Sequence, residues 1–371
     1  PAPGGPVIPR QDEGAPSLYN DAINRKDSES LDSTREIRRE RARMSPALKA
    51  AIREYLGGQV IDRHQAGPMT SPATSSLTQE FFPDEPTRFR FIFTKGTPVT
   101  PEALNGMAIF ANRWDSIPEE HVKQDVNELI LKPIYKIDLS DGTIDDKDLA
   151  GFTNPSLNPL FTMFGVKPRS EIEKTVDFFA AIIRFKNSLE RPTLRHAEEI
   201  KSRILLKVYG INLLDGKIDL QDIKMFSNNN DQVLINVLDP VRSKHNPIFD
   251  QNGNIKNPDD TVDFFDRIID FEDAWKDMEN KVEINNRILA PIWKINLMDG
   301  IIGVDDIKGF GNDDRTSLNP VFNPLYNENG QLKSQQEVID TVLFFNAVID
   351  FVELWDASKN KAQINNEILR L

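Results

Sequence analysis

The chain repeats itself three times, and that constrains its fold more than any single motif. Asp-Gly steps stand at Asp141-Gly142, Asp215-Gly216 and Asp299-Gly300, 74 and 84 residues apart. Adjacent phenylalanines follow at Phe178-Phe179, Phe264-Phe265 and Phe344-Phe345, 86 and 80 residues apart. An Asn-Pro element lies between them: NPLF from Asn158, NPIF from Asn246, and NPVF from Asn319 followed by NPLY. Ahead of each Asp-Gly step runs an apolar segment, IYKI, VYGI or IWKI. Units that recur in one order stack on their neighbours, because each buries its apolar face against the next.

Each unit reads as three helices, so the expected fold is all-α, a tandem array of units of about 75–85 residues. In DTVDFFDRIIDFEDAWKDMENKV, Val262, Phe265, Ile268, Ile269 and Trp275 recur at three- and four-residue steps and line one helical face. A second helix, INNRILAPIWKI, carries Pro291 where the first unit has Pro133, and a proline there is expected to bend or restart it. The third is short, roughly Asp305 to Phe310. The connector that follows, with the Asn-Pro element and turns of the NENG type, is too polar for a core strand. Adjacent phenylalanines on a helix point about 100° apart. One of each pair is therefore expected inside its own unit and the other against a neighbour or partner. Tyr135, Tyr209 and Trp293, ahead of the loops, are expected to be packed.

Residues 1–86 read as a largely disordered arm, rich in Pro, Gly, Ser and charge. It contains one amphipathic helix, 45–56, with Ser45 as cap, Pro46 at the first helical position and Gly57 as stop. The repeat domain spans 87–371, with units at about 110–184, 185–270 and 271–350 and a terminal helix to 371. Phe110 and Trp114 match Phe271 and Trp275, so part of a unit precedes the first complete one; INNEILRL from Ile364 copies INNRILAP at the other end.

The formal net charge is −13, and the first 60 residues carry about +1, so the repeats hold the negative field. Such a balance argues against nucleic acid as a partner. With no cysteine, disulfides, thiolate metal sites and a cysteine nucleophile are excluded. No apolar run reaches the ~18 residues of a membrane-spanning helix, and no basic start followed by an apolar stretch marks a secretory leader.

With each glycine as the sixth of twelve loop positions, Ile144, Ile218 and Ile302 fall at the eighth and Asp148, Asp222 and Asp306 at the twelfth. This D-G-x-I-x-x-x-D core resembles the helix-loop-helix of the EF-hand and dockerin families. The resemblance implies calcium ligands at Asp141, Asp145 and Asp148 and at Asp215, Asp219 and Asp222. The chain departs from the pattern where ions are held. Position 1 is Ile137, Ile211 or Ile295, position 3 is Leu139, Leu213 or Leu297, and Gly303 replaces an aspartate in the third copy. A calcium ion needs 6–8 oxygens. The favoured expectation is a metal-free turn without cofactor: aspartates cap the short helix, Asp-Gly supplies the turn, and paired isoleucines form an apolar clip.

Other chemistry is thinly represented. His64, His121, His196 and His245 stand apart at no metal-ligand spacing. No nucleophile elbow, phosphate loop, zinc-protease helix or dinucleotide fingerprint occurs. The acidic groups Asp145-Asp146-Lys147-Asp148 and Asn312-Asp313-Asp314 are expected on solvent-facing helix starts or loops. The first expectation is therefore a non-enzymatic scaffold that binds a protein partner. A calcium-binding or calcium-stabilised module is the alternative, and an enzyme with an unfamiliar site the second alternative. In composition, the Ser- and Pro-rich arm on an acidic cysteine-free body resembles virulence-associated effector and translocator proteins exported by type III secretion systems of plant-associated bacteria. That resemblance implies export without a signal peptide; residence in the cytoplasm is the other expectation.

Overall fold

Long helices carry the architecture: α1 (Pro101–Asp115), α4 (Arg169–Leu189), α7 (Pro258–Lys276) and α10 (Gln335–Ala357). The computed structural model describes residues 78–154, 159–162, 165–227, 246–250, 253–311 and 323–368, all within one compact unit, Thr74–Leu371. The amphipathic segment 45–56, His64, Asn158, His245, Asn312–Asp314 and Asn319 lie outside the described residues. Local chemistry sets the helix starts. Thr100 caps α1 by accepting from the Ala103 N–H, Asn257 caps α7, and Ser334 with Glu337 forms a capping box on α10. Pro101 and Pro258 occupy first-turn positions where no N–H is needed.

α1 packs on α4, α4 on α7, and α7 on α10. Val262, Phe265, Ile268, Ile269 and Trp275 are all buried, as the helical periodicity requires. The boundaries expected at 184/185, 270/271 and 350/351 fall inside the long helices, because each helix serves two neighbours. In α4, Phe179 packs on Tyr135 at 5.3 Å between ring centres, whereas Phe185 packs forward on Phe226 at 5.7 Å. Phe110 meets Phe152, and Phe271 meets Phe310, each at 5.3 Å.

Between consecutive long helices the chain winds the same way each time. α2 (Glu120–Asp125) runs into a π-helix, π1 (Val126–Tyr135); α5 (Ala197–Glu199) into π2 (Ile200–Tyr209); and α8 (Lys281–Ile284) into π3 (Asn285–Trp293). Each ends on a left-handed residue, Lys136 (φ 62°), Gly210 (φ 71°) or Lys294 (φ 59°). The next N–H then reaches six residues back, Ile137 to the Leu131 carbonyl at 3.1 Å, Ile211 to Leu205 at 3.0 Å and Ile295 to Leu289 at 3.2 Å. The proline expectation needs correcting. Pro133 and Pro291 sit within π1 and π3 without restarting them, and π2, with Lys207 at that position, winds alike. The winding therefore does not originate in proline.

Short helices follow the Asp-Gly loops: α3 (Asp146–Phe152), α6 (Leu220–Ser227) and α9 (Val304–Gly311). α11 (Lys361–Ile368) comes last. In the connectors, Asn246 Oδ1 accepts from the Ile248 and Phe249 N–H groups, and Asn323 Oδ1 accepts from Leu325 and Tyr326. The Asn of NPLY, rather than that of NPVF, thus fills this role in the last connector. The rings that follow take up the outward phenylalanines: Phe178 stacks on Phe249 at 5.5 Å, and Phe264 on Tyr326 at 6.1 Å.

The protein is mostly helical but not all-α, since small sheets occur. β1 (Thr78–Phe81) pairs antiparallel with β2 (Arg90–Thr94), which pairs parallel with β3 (Thr143–Ile144) in the first Asp-Gly loop. β4 (Phe161–Thr162) and β5 (Gly165–Val166) form a hairpin. β1 lies inside the stretch assigned to the arm. The cause is legible in RFRFIF: Phe89, Phe91 and Phe93 alternate along one face and are buried.

Candidate functional site

The Asp-Gly loops are held by a repeated set of hydrogen bonds from peptide groups to carboxylates. In the first, Asp148 Oδ1 accepts from the Asp138 N–H at 2.7 Å and Oδ2 from the Asp145 N–H at 3.0 Å. Asp222 accepts in the same way from Asn212 (2.7 Å) and Asp219 (3.0 Å), and Asp306 from Asn296 (2.6 Å) and Gly303 (2.8 Å). One carboxylate thus ties the entry of each loop to its exit. Asp141, Asp215 and Asp299 each accept from the N–H two residues on, closing the turn around the glycine. Asp145 and Asp219 cap the helices that follow, accepting from the N–H groups of Asp148 and Asp222. Ile137, Ile211, Ile295, Ile144, Ile218 and Ile302 are all buried, so the apolar clip forms at each loop.

Asp148, expected to favour the positive end of the short helix from a solvent-facing place, does more than that. Its side chain is 5% exposed rather than solvent-facing, because Oδ1 turns inward across the loop. Burial, with Asp145 and Asp141 adding like charge, pushes the Asp148 carboxyl up to about 6 despite the two N–H donors. Burial likewise raises Asp222 and Asp306. Asp138 behaves oppositely. Burial acts to raise it, but bonds from Ser140, Asn127 and Lys132 outweigh this and bring it down to about 2. As a chemical device the loop uses its carboxylate oxygens on its own peptide groups. Among the described residues, the group of three acidic or histidine side chains that draws within 4.8 Å is His196, Glu199 and Asp273, not any set from the loops.

His196 corrects a second expectation, since it is not isolated. Its Nε2 lies 3.1 Å from Asp270 Oδ1, and Asp270 is also held by Arg195 at 2.6 Å and Arg267 at 2.8 Å. Glu199 and Asp273 face Arg203 at 3.5 Å and Lys276 at 3.7 Å. This is a network of matched charges tying α5 and π2 to α7. Sequence spacing does not show it, because its members lie about seventy residues apart. A cleft of about 540 Å³ beside the first loop is lined by Arg88, Trp114, Glu120, Lys123, Asn127 and Asp141, among others. Its polar groups are paired with one another: Lys123 with Glu120 at 2.7 Å, and Asn127 with the Leu139 N–H at 2.9 Å and Asp138 at 3.0 Å.

The three Asp-Gly loops differ on their outer faces. In the first loop Ser140, Thr143 and Asp146 stand where the third has Met298, Ile301 and Val304, which are exposed. α10 adds a second apolar area: Leu343, Phe344, Phe351 and Leu354 are exposed, Leu354 to 72%, although the corresponding Phe185 and Phe271 of α4 and α7 are fully buried. Comparison with protein-family models, curated proteins and solved structures finds no match to this chain. Among the described residues, no helix is long and apolar enough to cross a membrane.

Proposed function

We propose that the body is a tandem array of three copies of one helical unit and acts as a non-enzymatic interaction protein. The observation that carries this reading is the outward display of large apolar side chains on an otherwise well-buried helical framework. Leu343, Phe344, Phe351 and Leu354 on α10, with Met298, Ile301 and Val304 on the third loop, are exposed, and clustered exposed apolar surface marks binding sites. The array is supported by the three carboxylate ties and the three π-helices, which recur at matching positions. The partner is a protein presenting apolar surface. Delivery by signal-peptide-independent export belongs to the same proposal and rests on the composition of the arm.

The test compares the native chain with a Phe351→Lys, Leu354→Lys double variant whose melting temperature is first shown to be unchanged. Partners recovered by crosslinking to the native chain and lost with the double variant support the reading. An identical set of crosslinked partners for both proteins contradicts it.

A further inference from the structure

We propose that the edge Ile301–Ile302 of the third Asp-Gly loop is a docking site for an extended, apolar segment of a partner protein, which adds to it as a parallel strand in the register that β2 takes on Thr143–Ile144. The proposal rests on the reading of this chain as an interaction protein and gives that partner its chemistry.

The first loop is the internal template. There, Arg90 pairs with Thr143 and Phe91 with Ile144, and the Arg90 N–H donates to the Gly142 carbonyl at 3.0 Å. Asp146 closes the strand end by accepting from the Thr94 N–H at 2.9 Å and its hydroxyl at 2.6 Å. Gly300, Ile301, Ile302 and Val304 stand at the positions of Gly142, Thr143, Ile144 and Asp146. Ile302 is only 2% exposed, yet its N–H and C=O enter no hydrogen bond among the described residues, nor does the Gly300 C=O. An added strand, entering beside the exposed Gly300, Ile301 and Val304, supplies partners for these groups in the register that β2 takes in the first loop.

Side chains specify the occupant. Ser140, Thr143 and Asp146 suit a strand that the chain itself supplies. Met298, Ile301 and Val304, exposed to 46%, 61% and 42%, offer an apolar surface to one that it does not. At the strand end Val304 cannot accept the hydrogen bonds that Asp146 takes from Thr94, so the incoming segment carries an apolar residue there in place of a hydroxyl. Asp299 and Asp305 flank the edge, which favours basic residues beside the apolar ones, the pattern β2 shows with Arg90 and the flanking Arg88 and Lys95. In the second loop Lys217 takes the place of Ile301 and sets a charge against the same type of strand.

The probe is a fluorescein-labelled peptide, RFRFIFVKG, which is the sequence of residues 88–96 with valine in place of Thr94, titrated into the full chain and read by fluorescence anisotropy, with amide chemical shifts as the map. Saturable binding is expected, with shifts at Gly300–Val304. Ile301→Lys, on a side chain exposed enough to leave folding intact, is expected to weaken it tenfold or more. Methylating the peptide nitrogen at the position of Arg90 is expected to do the same, because that N–H is the donor to the glycine carbonyl. Affinity unchanged by either alteration, no binding at millimolar peptide, or shifts at Gly142–Asp146 from displacement of β2 would each overturn the proposal. The Phe351→Lys, Leu354→Lys variant is expected to bind the peptide as the native chain does. If it loses partner capture while the peptide binds nothing, the interaction reading stands and only the strand site falls.

Discussion

Gly309 tests how closely the short helix lies against the end of the π-helix. A Cβ added there would sit 2.3 Å from the Trp293 carbonyl oxygen and 2.6 Å from Ile295 Cγ1; at Gly151 the distances are 2.3 Å to the Tyr135 oxygen and 2.8 Å to Ile137 Cγ1. Both obstacles are backbone or fully buried, so neither can swing aside. Relief requires α9 to back away by most of an ångström, which opens the clip between Ile295 and Ile302. Overpacking of this kind costs about 1–3 kcal/mol and at times more. Alanine's helix propensity returns about 1 kcal/mol. Because the contact is with a backbone carbonyl, the cost is set at the upper end of the overpacking range, about 3 kcal/mol, which leaves a net loss of about 2 kcal/mol for Gly309→Ala. That corresponds to a fall in melting temperature of roughly 4–8 °C. The second loop supplies the contrast. Met225 stands at the equivalent place, and there the cap is Gly210, whose added Cβ would meet Met225 at 3.5 Å or beyond. Met225→Ala is expected to cost less than Gly309→Ala. Calorimetry and urea unfolding measure both. A Gly309→Ala protein as stable as the native one would refute the close approach.

Phe265→Ala, which empties a fully buried position, should cost about 3–5 kcal/mol in urea unfolding, whereas Phe351→Ala on the open face should stay within about 0.5 kcal/mol. A pH series carries a defined sign. Burial raises Asp148, Asp222 and Asp306, so the folded state holds their protons more tightly than the unfolded chain, whose carboxyls titrate near 3.8. Their contribution is therefore complete below pH 3.8 and is lost as pH rises through about 6 for Asp148. Asp138, held down at about 2, acts the other way and loses its contribution only as pH falls below 3.8. Stability is thus expected to decline from pH 4.5 to 7, with a carboxyl carbon resonance of Asp148 titrating near 6. A flat profile with that resonance titrating near 4 would contradict it.

The buried faces were legible because apolar periodicity reports burial directly: the Val262, Phe265, Ile268, Ile269, Trp275 stripe is buried as read. So was the clip of isoleucines, since apolar residues at ligand positions have nowhere to go but inward. β2 was harder to place. Its phenylalanines alternate as a strand's do, but its pairing with Thr143–Ile144 is a contact across some fifty residues, which local alternation does not specify. The π winding has no signature in composition, as IKSRILLKVY and NNRILAPIW adopt it with and without proline. The inward turn of Asp148, Asp222 and Asp306 was likewise hidden. The capping box is local in sequence, but the N–H of Asp138, Asn212 or Asn296 that draws the other oxygen inward lies ten residues upstream.

Each loop keeps its shape through a carboxylate tied to two peptide groups. Calorimetric titration of calcium into chelator-treated protein tests it most directly, run beside an Asp141→Ala, Asp148→Ala variant. With those oxygens engaged by the loop's own peptide groups, no saturable heat and no rise in melting temperature are expected at millimolar calcium. Micromolar binding that disappears in the double variant would contradict it.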